Sequence, residues 1–139
     1  ALSMGEKHLL KQARGKILLF NLSGPMSFGA AKTISQRMGI VRKYEVLILD
    51  LSDVPLLGVT ASLAIENMIK DACANNHQVF LVGAKGKVKR RLQNMKLLRL
   101  LAPDHCFDER LFAIQEAIAY IESPEIKFKE VKKGNRPLA

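Results

Sequence analysis

The chain has 139 residues and a formal net charge of +9, with 48% hydrophobic and 25% charged residues. This length supports one domain with a hydrophobic core and is too short for two. No apolar stretch is long enough to cross a bilayer, and the charge excess favours an acidic protein, an anionic lipid surface or a phosphorylated ligand as partner. Nucleic acid is an unlikely partner, because the chain has no Trp and only two Tyr to stack on bases.

The N-terminal part predicts a β-hairpin followed by a helix. Residues 6–13 are expected to form an edge strand, Arg14-Gly15 a turn, and residues 16–22 a second strand. Ser23-Gly24-Pro25 breaks the strand pattern and places a loop at its carboxyl end. Apolar residues then recur near a 3.6-residue period from Phe28 to Val41, which predicts an amphipathic helix.

The central stretch predicts a buried strand, a short loop and a helix. Val46 to Leu49 is an unbroken apolar run that ends at Asp50, a pattern typical of a strand covered on both faces. Pro55 and Gly58 keep the following residues out of a helix. A helical period starts at about Val59, and this helix is expected to end at Asn75-Asn76, since Asn tolerates left-handed backbone.

The C-terminal part alternates strands with helices. In order, the pattern predicts a strand at 78–82, a helix from 85 to about 100, a two-residue edge strand at 106–107 and a helix at 109–121 with Asp108 as its N-cap. The domain should span residues 6–122, between leader residues at 1–5 and a basic tail at 123–139. This order predicts an α/β fold whose mixed sheet has parallel central strands, an opening β-hairpin and about four helices.

The segment from Asp50 to Ala61, DLSDVPLLGVTA, resembles the signature of STAS domains. The usual pattern is D-L-S-x-V followed by D-S-S-G or D-x-T-G, which opens a helix. Thr60 matches the hydroxyl residue that anti-sigma-factor antagonists present to a kinase, and it is the candidate phosphoacceptor. Gly58 stands where an Asp is usual and Ala61 where a Gly is usual. The resemblance extends over roughly residues 16 to 121.

A second stretch, FGAAK at Phe28 to Lys32, resembles the start of the first helix in STAS domains attached to SulP-type anion transporters. This resemblance implies a non-enzymatic regulatory and assembly domain at the cytoplasmic C-terminus of a sulfate or bicarbonate transporter, on the inner face of the plasma membrane. It implies the transporter's own transmembrane domain as partner, a homodimer, and action through dimerisation, partner or nucleotide binding. The alternative is a stand-alone anti-sigma-factor antagonist regulated by phosphorylation at Thr60.

Ligands of open α/β sheets collect beyond the carboxyl ends of the strands. The candidate rim there for a nucleotide, an anion or a partner peptide consists of Ser23, Gly24, Asp50, Ser52, Asp53, Gly58, Thr60, Gly83, Lys85 and Lys87. The start of the central helix adds N–H donors that favour a phosphate or carboxylate. The alternative interpretation is an ordinary cluster of loops in which Thr60 caps its own helix.

The densest basic run is KGKVKRR at residues 85–91. It places Lys89, Arg90 and Arg91 around one helical turn. Such a run is either a solvated helix face or a contact surface for anionic lipid headgroups or an acidic partner. The sequence leaves both interpretations open.

Metal binding and catalysis find no support in the sequence. Cys73 and Cys106 are expected to be reduced core thiols rather than a disulfide. His8, His77 and His105 lack metal-ligand spacing. No catalytic motif is present. We therefore expect no enzyme, no metal and no cofactor other than a nucleotide.

Overall fold

The structure, a computed structural model, describes residues 2–23, 33, 36–39, 43–101 and 104–123. The elements in chain order are α1 (Met4–Gln12), β1 (Ile17–Ser23), β2 (Val46–Asp53), α2 (Val59–Ala74), β3 (Gln78–Val82), α3 (Gly86–Asn94), a 3₁₀ helix (Leu97–Leu100), β4 (Cys106–Phe107) and α4 (Arg110–Glu122). The α/β class expected from the sequence is confirmed.

One four-stranded sheet has the order β1-β2-β3-β4. Every neighbouring pair within the described residues is parallel, so the carboxyl ends of the strands share one edge. Leu49 of β2 lies beside Phe20 of β1 and Leu81 of β3. Residues 46–51 are all buried, which explains the unbroken apolar run: a parallel strand between helices has no solvated face.

Helices cover both faces of the sheet. On one face, Leu47, Leu49 and Leu51 pack in a core with α2, α3 and the 3₁₀ helix. On the other face, Val46 and Ile48 pack with α1 and α4. Successive side chains of a strand point to opposite faces, so this alternation assigns each helix to one side of β2.

The expected opening hairpin is wrong, and the sheet formed by the described residues is parallel rather than mixed. Residues 4–12 form α1, whose N-cap Ser3 and third residue Glu6 make a reciprocal capping box. Leu9 and Leu10 of α1 pack with Ala13 against the α4 side of the sheet. The 9, 10, 13 spacing belongs to a helix, and the capping box satisfies N–H groups that a strand would have to pair elsewhere.

Two boundaries in the C-terminal part also differ from expectation. The helix expected over residues 85–100 ends at Asn94, because Lys96 adopts a left-handed conformation before the 3₁₀ helix begins. The last helix begins at Arg110 with Glu109 as N-cap, so Asp108 is not the capping residue. The strand at 106–107 and the left-handed Asn76 after α2 are confirmed.

Several expectations concern other parts of the chain. Of the helix expected from Phe28 to Val41, residues 36–39 are helical and Met38 is buried. Gly24, the FGAAK stretch and residues 124–139 of the basic tail lie outside the described residues.

Candidate functional site

The carboxyl edge of the sheet brings the expected strand ends together. Asp50 lies beside Asn21 of β1 and Val82 of β3, and Ser23 pairs with Asp53. Parallel strands end on the same side, so the sequence-based grouping of these strand ends into one rim is geometrically correct.

Asp50 fixes the corner at the end of β2. Its buried carboxylate accepts the Ser52 N–H at 3.0 Å, the Ser52 hydroxyl at 2.6 Å and the Asn21 side-chain amide at 2.9 Å. A carboxylate that accepts a backbone N–H two residues later forms an Asx turn. Asp50 therefore shapes the loop, whereas Asp53 is exposed to solvent.

Gly83 allows the β3 end to approach this corner closely. A Cβ at Gly83 would stand 2.7 Å from the Ser52 Cα and closer still to the Ser52 hydroxyl, and the residue has a φ of +70°. Both the space and the backbone conformation require glycine. The ends of β2 and β3 are thus locked together through Ser52.

A buried ion-pair network that the sequence did not indicate lies beside Asp50. Arg110, the first residue of α4, bonds Glu6 of α1 through two nitrogens at 2.7 and 3.1 Å, and reaches Asp50 at 3.3 Å. The hydrogen bonds from Arg110 lower the pKa of Glu6 to about 2, although burial alone would raise it. The same pairing raises the pKa of Arg110.

Glu6, Asn21 and Arg110 were missed for different reasons. The Ser3-x-x-Glu6 spacing is a capping-box signal and was available in the sequence. No local pattern connects Arg110 with Asp50 or Glu6, which lie 60 and 104 positions earlier in the chain, because only the fold brings these side chains together.

A shallow cleft of about 400 Å³ opens over this network, on the α1 and α4 side of the rim. Five of the side chains that line it are carboxylates and one is a guanidinium. The lining residues are Ser3, Glu6, Asn21, Asp50, Ser52, Asp53, Asp108, Glu109, Arg110 and Leu111. The one guanidinium already pairs with two carboxylates. This side of the rim therefore repels anions.

The start of α2 lies on the opposite face and has a different character. Thr60 is exposed in the first turn, as expected. The N-cap is Gly58, so Thr60 does not cap its own helix. Leu56, Val59 and Leu63 are exposed by 48%, 64% and 51%. We call Leu56, Val59, Thr60 and Leu63 the α2-start surface.

A basic helix lies next to the α2-start surface. Arg91 of α3 donates its Nε–H to the Ser62 hydroxyl at 3.1 Å, and that hydroxyl donates to the Gly58 carbonyl at 2.6 Å. Neither α2 nor α3 has an acidic residue in its first turn. The last turn of α3 thus brings a guanidinium to the start of α2, whose own first turn has no compensating carboxylate.

The basic run itself is split between two roles. Lys85, Lys87, Lys89 and Arg90 are exposed, whereas Arg91 is half-buried and bonds Ser62. The run thus lies on an exposed face of α3, with Val88 and Leu92 buried beneath it, which is compatible with both interpretations.

The remaining candidates can be placed as well. Cys73 is half-buried but Cys106 is exposed, so the expectation of two core thiols is wrong for Cys106. His105 is buried against Phe80, with ring centroids 4.4 Å apart. Within the described residues, no group of His, Cys, Asp and Glu side chains is arranged to hold a metal ion. None of the helices described has the length and apolar character needed to cross a membrane.

The family follows from this fold and from the match of its sequence. The family model of the STAS domain matches residues 8–113. The chain therefore belongs to the STAS domain family.

Its relatives are domains of membrane transporters. Proteins named bicarbonate transporter BicA from Synechocystis sp. and Picosynechococcus sp. are 44% and 43% identical over 117 residues, which is 84% of this chain. The match covers 21% of each relative, so the chain spans about a fifth of their length.

Solved structures show the same fold. The STAS domain of a SulP transporter from Vibrio cholerae matches with a TM-score of 0.73 and 25% identity, over 86% of this chain and 98% of that one. A sulfate transporter family protein from Wolinella succinogenes has a TM-score of 0.70 and 18% identity, over 88% and 93% of the two chains. SLC26A9 has a TM-score of 0.56 and 18% identity, over 81% of this chain and 22% of that one. The chain is therefore a STAS domain of the SulP-transporter type, and the antagonist alternative is not favoured.

Proposed function

We propose that this domain is a non-enzymatic regulatory and assembly domain of a SulP-type bicarbonate transporter, held on the cytoplasmic side of the membrane beside the transmembrane part. The observation that carries the proposal is the 44% identity, over most of the chain, to proteins named bicarbonate transporters. In this proposal the domain does not carry the anion, because the cleft beside the rim is lined by five carboxylates and one guanidinium. Repulsion between carboxylates and bicarbonate opposes binding there.

The proposal is tested in the full-length transporter that contains this domain. Bicarbonate uptake and protein abundance in the membrane are measured in cells that lack bicarbonate uptake of their own. We expect removal of the domain to lower uptake or assembly severalfold. We expect exchange for the STAS domain of a sulfate transporter to leave the transported anion unchanged. Full uptake and assembly after removal would contradict a regulatory role, and a change of anion would contradict a non-transporting one.

We propose that the partner contact uses the α2-start surface. Three large apolar side chains in eight residues are exposed there, beside basic α3 and without acidic residues in the adjoining first turns. The matching partner is a protein segment with apolar side chains bordered by carboxylates. An anionic lipid surface would bind α3 equally through charge, but the apolar residues on α2 favour a protein.

Homodimer formation is a separate part of the proposal. The net charge of +9 and the basic α3 oppose contact between two copies at the α2-start surface. We therefore place the dimer contact elsewhere on the transporter. Light scattering on the 139-residue chain should give a monomer at low salt. A dimer that Leu63→Asp disrupts would contradict this placement.

We expect nucleotide binding to use the basic side of the rim. Lys85 and Lys87 are exposed at the start of α3, whereas the cleft on the other side is acidic. Calorimetry with GTP and ATP tests this, with Lys87→Ala as the matched variant. Absence of heat at millimolar nucleotide would remove nucleotide regulation from the proposal.

Thr60 is the proposed phosphoacceptor of this surface. Its hydroxyl is exposed in a first turn that has no acidic residue, and a phosphate there would meet unpaired N–H groups. Mass spectrometry after incubation with kinases from the native host is the test. An unmodified Thr60, alongside phosphorylation of other sites, would argue against this role.

A further inference from the structure

One continuous chain of contacts runs from α1 to the end of β3. Glu6 of α1 bonds Arg110, and Arg110 bonds Asp50. Asp50 holds Ser52 through both its N–H and its hydroxyl, and Ser52 packs against Gly83. Each link joins a different element or loop, so the chain connects the docking of α1 with the carboxyl edge of the sheet.

Glu6 serves both α1 itself and this connection. Its Oε1 accepts the Ser3 N–H at 2.8 Å and an Arg110 Nη at 3.1 Å, while its Oε2 accepts the Arg110 Nε–H at 2.7 Å. Glu6 is buried although it is charged. A buried carboxylate is stable only while its partner stays in place, so Arg110 and α1 hold each other in position.

Arg110 is shared between two carboxylates that lie on different elements. When α1 is docked, Glu6 orients the guanidinium along Nε and Nη2, which leaves Nη1 directed at Asp50. Without α1, Asp50 becomes the remaining acidic partner within this network. The Arg110 guanidinium would then re-orient toward Asp50, and the Asp50 carboxylate, which holds Ser52, would shift toward Arg110.

We propose that α1 is a conformational control element, whose docked position sets the geometry of Ser52 and Gly83 at the carboxyl edge through the positioning residue Arg110. Release of α1 loosens the rim, and docking of α1 fixes it. This inference concerns the fold of the domain alone, so it stands or falls independently of the transporter proposal.

Two features allow α1 to exist in docked and released states. Among helices and strands, α1 packs mainly on α4, while the sheet is held by its own strand pairs and by α2. Near the other end of α1, Gln12 bonds Glu122 only at an exposed position. The apolar contacts of Leu9 and Leu10 and the ion pair therefore supply most of the docking.

Hydrogen exchange of the purified 139-residue chain tests the proposal with three variants. Glu6→Gln removes the ion pair but keeps a capping acceptor, since Gln also serves in a capping box. Ser3→Ala removes the cap and keeps the ion pair. Ile114→Val destabilises α4 without touching the network. The readout is the ratio of exchange at residues 50–53 and 83–85 to exchange at the core of α2.

We expect Glu6→Gln to raise exchange in α1 and to raise the rim-to-core ratio about tenfold, as loss of roughly one buried charged hydrogen bond allows. Ser3→Ala should raise exchange in α1 alone, and Ile114→Val should leave the ratio unchanged. A rim-to-core ratio in Glu6→Gln equal to that in Ile114→Val would overturn the proposal. The Glu6–Arg110 ion pair would then stabilise the domain as a whole without controlling the rim.

A second variant keeps the test valid if Glu6→Gln unfolds. Asp50→Asn weakens the link between Arg110 and Ser52 and leaves the Glu6–Arg110 pair in place, so it should raise rim exchange while α1 stays protected. Equal loosening of α1 and the rim in Asp50→Asn would contradict the direction of control from α1 to the rim.

Discussion

Single residues near the rim act through charge burial and through lack of space. Glu6 and Asp50 are carboxylates in the interior, which is tolerated because Arg110 pairs with both. Gly83 acts through the lack of a side chain, which allows the ends of β2 and β3 to approach each other. Each of these residues gives a measurable stability effect.

Glu6→Gln should lower stability in a manner that depends on pH. The pKa of Glu6 falls from its ordinary 4.5 to about 2 in the folded state. A carboxylate whose pKa is lower in the folded state than in the unfolded state stabilises the fold fully at pH values above its unfolded pKa. The full effect of Glu6 is therefore present near pH 7. We expect a difference of about 2 to 3 kcal/mol there between wild type and variant.

The difference in the free energy of unfolding between wild type and Glu6→Gln should shrink as the pH falls from 4.5 through 2, because Glu6 then becomes protonated in the folded protein. The charged and titratable groups facing Glu6 are Arg110 and Asp50 in the network, with Asp53, Asp108 and Glu109 along the cleft. Urea unfolding at several pH values measures the effect. A difference that stays constant down to pH 2 would show that Glu6 is not ionised in the fold.

Gly83→Ala should destabilise the domain by about 2 to 4 kcal/mol. The new Cβ would press on the Ser52 backbone, and alanine resists a φ of +70°. Gly15→Ala is the matched control, because Gly15 has a φ of +79° with nothing nearby. Backbone strain is common to Gly83→Ala and Gly15→Ala, whereas the steric clash arises only in Gly83→Ala. The difference between the urea midpoints of the two variants therefore measures the clash. Equal losses at the two positions would mean that Ser52 moves aside freely.

At the scale of elements, the start of α2 combines exposed apolar side chains with the absence of an acidic residue in its first turn. Helix starts usually favour a negative charge, which offsets the partial positive charge of the first turn. The Ser62–Arg91 bond instead brings a cation to this turn. The arrangement leaves α2 less stable than it would be with a carboxylate or a phosphate at Thr60.

Thr60→Glu should therefore raise stability by about 0.3 to 1 kcal/mol at low salt. Thr60→Gln is the neutral control of the same shape and should give no gain. Thermal unfolding with and without 1 M salt, at which the Debye length falls to about 3 Å, separates charge from helix propensity. A loss of stability in Thr60→Glu would show that Thr60 faces a negative environment.

At the scale of the molecule, the sheet separates the acidic cleft from the basic helix α3. The α1 and α4 side carries the acidic cleft, while the α2 and α3 side presents apolar side chains beside lysines and arginines. A partner can thus be selected by face, since charge directs encounter and suppresses wrong orientations.

Leu63→Asp should weaken a partner contact by about tenfold or more, because a buried interface position loses apolar contact and gains an unpaired charge. Phe112→Asp is the matched control: Phe112 is 53% exposed on α4, on the other face. The measurement is bicarbonate uptake by the full transporter, normalised to its abundance in the membrane. Equal losses in both variants, or in neither, would remove the α2-start surface from the proposed function.

The placement of Thr60 and of the strand ends was accessible from sequence because it depends on local signals. A buried apolar run, Pro55 and Gly58 in the loop, and the start of a 3.6-residue period locate Thr60 without knowledge of any distant contact. The edge strand expected at residues 6–13 is wrong because two local signals competed there, and the capping box at Ser3 and Glu6 outweighed a short apolar stretch.

The α/β order, the covered central strand and the rim at its carboxyl end could thus be predicted from local sequence signals. These follow from periodicity and turn chemistry, which act over a few residues. In contrast, it takes the folded protein to show that Arg110 joins Glu6 to Asp50, that Gly83 must accommodate Ser52, and that the rim has an acidic and a basic side. Those features depend on side chains that are far apart in the chain, and their energies exist only once folding has brought them within contact and removed the water between them.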